Sequence, residues 1–402
     1  MKNFFRLCYK IKYFFGAKFK WNLPNQSKVL IYDFANSEIL LKYLSPWNPE
    51  FLHVRGEKIY IRVLLKSLFK KGRITDNYID CYIKQVNPSL IVTIVDNKST
   101  FYSISSRHPK RKTLFIQNGL RGYWGDIFNE LEHIKKNDPD TLRNFFVDYI
   151  LALGSIYGDH YAKYLKGNTL VTGSIKNNFV VKKNFIEKNT MALVSQWRDS
   201  KGFYLEFPYI YGSTYSSFED FWIKPDRIIL PYLKEYARKN NKRFMIIPSQ
   251  GKESPLRLKE ESYYKKMMGG EVELLDGEEP FPAYNAIDKT EVVIGIDTTM
   301  CCEKIARGGK SAIFAIRSKM CAKRWDIRMG WPADFPDEGP FWTNNPDPKS
   351  MNRVLDYLFE VNENQWRNDL EATNFSSIMR YDAGNMKLNE ILKNELGSPP
   401  KS

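Results

Sequence analysis

The chain has 402 residues, of which 43% are hydrophobic, and it carries a formal net charge of +15. This length exceeds a single ordinary core and predicts two domains of roughly 150 to 200 residues each. Five cysteines and four histidines show neither a paired framework nor metal-ligand spacing, which argues against a disulfide-stapled domain and a metal-dependent mechanism and indicates a reducing cytoplasm.

The first 20 residues combine basic and aromatic side chains and contain no acidic residue. This composition is typical of an amphipathic helix that lies in a membrane interface, with lysines on anionic headgroups. We predict such a helix over residues 1–24, and an anionic membrane surface as the partner of residues 1–20; the alternative is a helix docked on the protein's own core. Lys10 and Lys12 interrupt any signal-peptide core, and no stretch reaches the ~20 apolar residues of a spanning helix. Nucleic acid is not an expected partner, because the other basic residues are spread among acidic ones.

After Pro24, strands and helices alternate along the chain. The predicted strands are KVLIYDF, FLHVRG, SLIVTIVDN, KTLFIQNG, DYILALG and NTLVTGS, with helices over about 36–44, 59–71 and 77–86. Such alternation predicts a parallel sheet with helices on both faces, and ligands bind such sheets beyond the carboxyl ends of the strands. The polar residues at this rim are Asp33, Asn36, Glu38, Asp96, Asn97, Gln117 and Asn118.

A second series of predicted elements follows a lysine-rich and asparagine-rich linker over residues 176–189. It contains the strands TMALVSQWR, RFMIIPSQ, VELLDG, EVVIGI and SAIFAI and a long helix over about 231–240. We predict an N-terminal domain over residues 25–175, a C-terminal domain over 190–345, and helices over 346–402 that pack back on the domains. Two sheets would enclose a cleft, and MGWPADFPDEGPFWTNN is predicted to form an ordered loop over its mouth.

The segment 291–317 predicts a strand, a helix that begins at Thr298-Thr299, and a second strand. Hydroxyl residues cap the free N–H groups of a helix start, and Gly308-Gly309 would end this helix. Its N-terminus would open at the carboxyl edge of a sheet and attract an anion such as a nucleotide phosphate. Glu303, one and a half turns further, could reach the hydroxyls of a ribose.

A purely structural interpretation of the same segment is also open, with Thr298 as a cap and Glu303 as a solvated surface residue. The sequence of residues 308–311 is not the end of a P-loop, because that motif needs a glycine where Lys304 stands.

The segment 297–310, DTTMCCEKIARGGK, resembles the D-S-T-x-G-x-E-x-x-A-R-G-x-K segment of bacterial surface carbohydrate biosynthesis proteins with the GT-B glycosyltransferase architecture. Similarity extends to LIYDFANSEILLKYL, LFIQNGLRG, SQWR, and GWP with EGPFWTN, so the landmarks span most of the chain. One departure is Cys301-Cys302, where the family has a glycine followed by an aromatic residue. The resemblance implies an α/β fold of two Rossmann-like parallel-sheet domains facing a central cleft, with a nucleotide sugar in the C-terminal domain and the acceptor on the N-terminal one.

The resemblance also implies roles for the residues at the strand ends. Thr298 and Thr299 would bind phosphate, Glu303 the ribose or a nearby hydroxyl, and Arg198 the departing phosphates. The complete donor-binding set is Ser195, Gln196, Arg198, Asp297, Thr298, Thr299 and Glu303.

The acceptor side of the cleft is assigned Asn36, Gln117 and Asn118. An inverting transfer needs a base to take the proton of the acceptor hydroxyl. The candidates are Asp96, Glu38 and Asp33, of which Asp96 is favoured because it directly follows an apolar strand.

The function predicted from these features is a membrane-associated, metal-independent glycosyltransferase that builds capsule, lipopolysaccharide or a related surface glycan. Its partners would be a nucleotide sugar and a glycan or lipid-linked acceptor, with no cofactor, on the inner face of the cytoplasmic membrane. The open alternatives are a polyol-phosphate transferase, a nucleotide-sugar 2-epimerase, and a non-catalytic scaffold of a polysaccharide assembly complex.

Overall fold

The computed structural model describes residues 16–96, 98–121, 127–183, 185–200, 218–317, 319, 331–332 and 335–399. Within these ranges, two six-stranded sheets and one two-stranded sheet carry the fold. None of the helices in these ranges is long and apolar enough to cross a lipid bilayer.

The first half of the chain forms a fully parallel six-stranded sheet and the two-stranded one. Its strands are β1 (Lys18–Lys20), β2 (Val29–Tyr32), β3 (Glu50–Leu52), β4 (Lys58–Tyr60), β5 (Leu90–Thr93), β6 (Lys112–Ile116), β7 (Phe146–Ala152) and β8 (Lys166–Val171). The large sheet has the order β3-β2-β5-β6-β7-β8, and β1 pairs in parallel with β4. Strands β2 and β5 are buried along their whole length, as expected for parallel strands that helices cover on both faces.

Helices connect these strands. They are α1 (Glu38–Leu44), α2 (Ile61–Leu68), α3 (Ile74–Val86), α4 (Ser99–Tyr102), α5 (Ile104–Arg107), α6 (Ile127–Asn137), α7 (Pro139–Arg143), α8 (Ser155–Ala162) and α9 (Ile175–Phe179). A 3₁₀ turn over Ser45–Trp47 follows α1.

The second half of the chain forms the other six-stranded sheet. Its strands are β9 (Glu187–Val194), β10 (Arg243–Ile247), β11 (Thr290–Gly295), β12 (Lys310–Phe314), β13 (Glu338–Gly339) and β14 (Trp342–Thr343), in the order β10-β9-β11-β12-β14-β13. All neighbouring pairs are parallel except β13 and β14. The predicted α/β architecture of two Rossmann-like parallel sheets is therefore confirmed.

The second half also contains a π-helical turn over Glu219–Ile223 and 3₁₀ turns over Phe375–Ser377 and Ala383–Asn385. Its α-helices are α10 (Lys224–Lys239), α11 (Arg257–Met268), α12 (Pro282–Lys289), α13 (Thr299–Ala306), α14 (Pro348–Glu360), α15 (Glu363–Ala372) and α16 (Met386–Leu396). The last helix returns to the first half of the chain, because Leu388 and Leu392 belong to the same buried cluster as Val29 of β2 and Leu90 of β5.

Several local predictions are wrong. Residues 18–20 form strand β1 rather than part of a helix, because their backbone pairs with β4; residues 1–15 of the predicted helix lie outside the described residues. The predicted linker 176–189 contains most of α9 and the start of β9. In the described part of 331–345, β14 pairs with β12 and the side chains of Phe341 and Trp342 are buried, so this segment extends the sheet instead of only covering a cleft.

The predicted strand VELLDG is also wrong. Leu274 makes a single bridge to Ile246, and only the N–H of Leu275 and the C=O of Glu273 exchange backbone hydrogen bonds with that residue. The chain then leaves β10, so no ladder develops.

Candidate functional site

Three neighbouring strands of the second sheet end beside one another. Strand β9 leads into Gln196, β11 into Asp297 and β12 into Arg317, and parallel pairing in the order β9-β11-β12 puts these ends at one edge. Arg317 Nη1 donates to both carboxylate oxygens of Asp297, at 2.6 and 2.7 Å, and its Nη2 donates to Gln196 Oε1 at 3.4 Å. The structure thus links Gln196 and Asp297, two predicted donor residues, through a buried arginine.

An indole ring lies against this edge. The guanidinium carbon of Arg317 is 4.4 Å from the ring centroid of Trp222, and that of Arg198 is 5.8 Å from it. Such contacts stabilise a cation on an aromatic face. Arg198 is exposed and donates from Nη1 to the carbonyl of Trp197, so it presents positive charge at the end of β9.

A buried carboxyl group, Asp226 near the start of α10, lies close to the same ion pair. It accepts a hydrogen bond of 2.7 Å from Tyr263 Oη. Burial raises the pKa of Asp226 to about 6; the charge of Asp297 adds to this rise, while the Tyr263 hydrogen bond and Arg317 oppose it. This side chain therefore changes charge near neutral pH, which is a common property of functional sites.

The hydroxyl of Ser195 is hydrogen-bonded to two other side chains of the protein. It donates to Glu260 Oε1 and accepts from Tyr264 Oη at 2.7 Å. Glu260 in turn accepts backbone N–H groups from Ser249 at 2.8 Å and Gln250 at 2.9 Å. Ser195 and Glu260 thus fix the loops after β9 and β10, which positions the neighbouring Gln196 and Arg198.

The start of α13 lies where the two halves of the chain meet. Thr298 is the N-cap, and its Oγ1 accepts the N–H of Met300 at 3.3 Å. Thr299 Oγ1 accepts the N–H of Leu120, from the loop after β6 of the first sheet, at 3.5 Å. The helix N-terminus predicted to bind phosphate therefore faces the loop that carries Asn118, which is exposed.

Glu303 is buried, so it is not the solvated surface residue of the purely structural interpretation. Its Oε2 accepts from Tyr284 Oη at 3.0 Å. Burial raises the pKa of the Glu303 carboxyl, although hydrogen bonds with Ser174 and Tyr284 oppose this shift. The Glu303 backbone carbonyl accepts from Asn177 Nδ2 at 3.2 Å, so the first half of the chain reaches this helix a second time.

Two of the base candidates are buried ion-pair partners. Asp96 accepts from Nε and Nη2 of Arg121, at 2.9 Å for the former, and from Tyr161 Oη at 2.8 Å. Asp33 accepts from Arg55 Nε at 2.9 Å and from the N–H of Ala35 at 3.0 Å. Both carboxylates are thus already engaged by an arginine, and their role as a base stays a prediction.

The other rim residues divide into exposed and enclosed side chains. Glu38 and Asn36 are exposed at the start of α1. Gln117 is buried, donating to the carbonyl of Gly119 at 2.8 Å and accepting from the N–H of Leu153 at 3.0 Å, so it shapes the loop after β6. Asn97 lies outside the described residues.

Five further residues of the site were not predicted from the sequence: Arg317, Asp226, Trp222, Glu260 and Tyr284. Arg317 follows the apolar strand β12, so the rule that selected Asp297 could have found it. The others lie on helices or turns without a motif and reach the site only through tertiary packing. Among the described residues, no group of three His, Cys, Asp or Glu side chains could hold a metal ion.

Comparison with known proteins gives one family match. A family model described as "putative O-antigen biosynthesis protein" matches residues 114–396. A search of curated proteins gave no match.

Solved structures of similar shape share little sequence with this chain. They include the wall teichoic acid polymerase TagF, with 10% identity over 98% of this chain and 93% of that chain and a TM-score of 0.48. A UDP-GlcNAc 2-epimerase from Neisseria meningitidis bound to UDP-GlcNAc has 11% identity, coverages of 92% and 98%, and a TM-score of 0.47. A glycosyltransferase from Rickettsia africae ESF-5 has 11% identity, coverages of 92% and 99%, and a TM-score of 0.47.

Proposed function

This chain belongs to the O-antigen biosynthesis protein family, and from that premise we propose that it is a membrane-associated glycosyltransferase. It transfers a sugar from a nucleotide-sugar donor to a growing surface glycan, such as capsule or lipopolysaccharide. The acceptor is a glycan or is lipid-linked, and the enzyme works on the inner face of the cytoplasmic membrane. The donor is a substrate, so the proposal invokes no cofactor.

One observation carries the donor site: the ends of β9, β11 and β12 converge beside the start of α13. The free N–H groups and the dipole of a helix start attract a phosphate, and the guanidinium group of exposed Arg198 lies at the same sheet edge. This combination suits the phosphate groups of a sugar linked to a nucleoside diphosphate or monophosphate.

The proposed chemistry rests on stabilising the leaving group. As the bond between the sugar and the phosphate breaks, negative charge grows on the phosphate oxygen, and Arg198 and the N–H groups at Thr298 and Thr299 stabilise it. Arg317 is neutralised by Asp297 and therefore acts as a positioning residue that holds the side chain of Gln196. Glu303, oriented by Tyr284, is proposed to hold a hydroxyl of the ribose.

An inverting transfer would place the base on the opposite side of the cleft. Asp96 and Asp33 would first have to release Arg121 and Arg55, whereas exposed Glu38 would not have to break a buried ion pair. Glu38 is therefore the base candidate that the geometry favours, and a retaining transfer would not need it.

Thermal unfolding with a panel of UDP-, GDP-, CMP- and dTDP-sugars tests the donor site. We expect one nucleotide class to raise the melting temperature of the wild type, because ligand binding to the folded state stabilises it. Arg198→Gln and Glu303→Gln should each reduce this shift. Arg143→Gln, which removes an exposed arginine on α7, is the matched control and should retain it. A lack of any shift with every nucleotide would contradict the proposal and favour the scaffold alternative.

A further inference from the structure

Helix α2 has an apolar face that points away from the protein core. Its buried residues are Val63 and Ser67, four residues apart and hence on one side of the helix. Leu65 and Leu68 lie on the other side and are 47% and 52% exposed, and Phe69, which directly follows the helix, is 89% exposed. A surface helix of a soluble domain normally shows the reverse arrangement, with its apolar stripe toward the core.

Further exposed apolar and basic residues extend this face. Ile74 at the start of α3 is 53% exposed and Trp21 is 70% exposed. Because β1 pairs in register with β4, which runs directly into α2, Trp21 is held near the start of that helix. We call the following set the basic apolar patch: Trp21, Arg62, Leu65, Lys66, Leu68, Phe69, Lys70, Lys71, Arg73 and Ile74.

The charge of the patch has one sign. No acidic residue occurs between Lys58 and Thr75, and Arg62, Lys66 and Lys70 are all exposed. In the described part of the chain, these three side chains form no ion pair. Large exposed apolar side chains bordered by unpaired basic ones require an apolar partner that also carries negative charge.

We propose that the basic apolar patch docks the protein on an anionic phospholipid surface. Phe69, Leu68 and Trp21 would enter the headgroup and acyl-chain boundary, while the lysines and arginines contact lipid phosphates. The patch adds a second surface to the proposed membrane association, and residues 21 and 62–74 of the folded domain supply it. It does not depend on the transfer reaction, since docking requires neither donor nor acceptor.

Co-sedimentation of the full-length protein with vesicles tests the patch. The vesicles are phosphatidylcholine alone or phosphatidylcholine with phosphatidylglycerol, at low and high salt. We expect binding to the anionic vesicles that weakens with salt. The double variant L68S/F69S should bind about tenfold more weakly because two apolar anchors are lost. K66E/K70E should bind at least about 25-fold more weakly, since each of the two basic residues near the surface contributes on the order of fivefold.

Matched controls separate the patch from general effects. L258S/V181S replaces two exposed apolar residues elsewhere, and K136E/K349E makes the same charge change outside the patch. Both should bind like the wild type, and circular dichroism should show all four variants folded. Patch variants that bind vesicles like the wild type would overturn the proposal. The proposal would also be overturned if L68S/F69S lost self-association but still bound vesicles like the wild type. The partner of the patch would then be a second copy of this protein. Nucleotide-sugar binding, measured in parallel, reports separately on the proposed reaction.

Discussion

At the residue scale, the candidate donor site is built from charges that are partly cancelled inside the protein. Asp297 neutralises buried Arg317, so we propose exposed Arg198 and the start of α13 as the groups that contact a phosphate. Asp226 is buried near this pair, and its carboxyl accepts a hydrogen bond from Tyr263. Its charge state therefore couples the stability of the site to pH.

We predict that Asp226→Asn stabilises the protein at neutral pH and has little effect in acid. The folded-state pKa of Asp226, about 6, lies above its ordinary value of 3.8, so folding favours the protonated form. This contribution to stability is fully present below pH 3.8 and is lost as the pH rises through about 6. Asparagine stays neutral and can still accept from Tyr263, so it should raise the free energy of unfolding at pH 7.5 by about 1 to 3 kcal/mol.

Chemical denaturation at pH 3.5 and 7.5 measures this difference. Asp140→Asn, which removes an exposed carboxylate of α7, is the control and should change stability little at either pH. An equal effect of Asp226→Asn at both pH values would show that the carboxyl does not titrate in this range.

At the element scale, α13 depends on a glycine at the end of β11. A Cβ atom on Gly295 would lie 2.3 Å from Thr298 Cγ2 and 2.6 Å from Cys301 Sγ. Cys301 and Cys302 are both buried, so the departure from the family's glycine and aromatic residue faces the core rather than solvent. Because Gly295 has no side chain, the Cys301 sulfur and the start of α13 can pack directly against the end of β11.

We predict that Gly295→Ala destabilises the protein by about 1 to 3 kcal/mol and weakens the nucleotide-induced thermal shift. The reason is that the added methyl group must displace the start of α13. Denaturation curves and thermal shifts measure the two effects. Gly251→Ala is the matched control, because a Cβ there meets no atom within 4 Å.

A thermodynamic cycle identifies the contacts responsible. In the background of T298S/C301A, which removes both clashing atoms, Gly295→Ala should cost much less stability. The same cost in both backgrounds would mean that the backbone, and not these side chains, requires the glycine.

At the scale of the whole molecule, the sequence predicted the strands well and the site in part. Buried runs such as those of β2, β5 and β11 are apolar along their length and end in polar residues, so Asp33, Asp96 and Asp297 could be assigned to sheet edges. The pairing of Asp96 with Arg121 and of Ser195 with Glu260 could not be predicted, because these partners are 25 and 65 residues apart and no motif joins them.

Short elements at sheet edges were missed for a related reason. Strand β1 has only three residues and exists through its pairing with β4, while β14 depends on the burial of Trp342. Neither has a periodic pattern long enough to be recognised. A helix over about 59–71 was predicted from the sequence, but only the structure shows that the apolar side of α2 is exposed.

Turnover of a labelled nucleotide sugar tests the central claim most directly. The donor class identified by thermal shift is incubated with the protein and a membrane extract that contains lipid-linked acceptors, and both released nucleotide and labelled glycan are measured. A glycosyltransferase produces both, in equal amounts, and Arg198→Gln should lower the rate by about 100-fold as an electrostatic contact to the leaving group is lost. An isomerised donor without transfer would indicate an epimerase. Transfer only from a CDP-polyol, with release of CMP, would indicate a polyol-phosphate transferase, and donor binding without any turnover would contradict catalysis altogether.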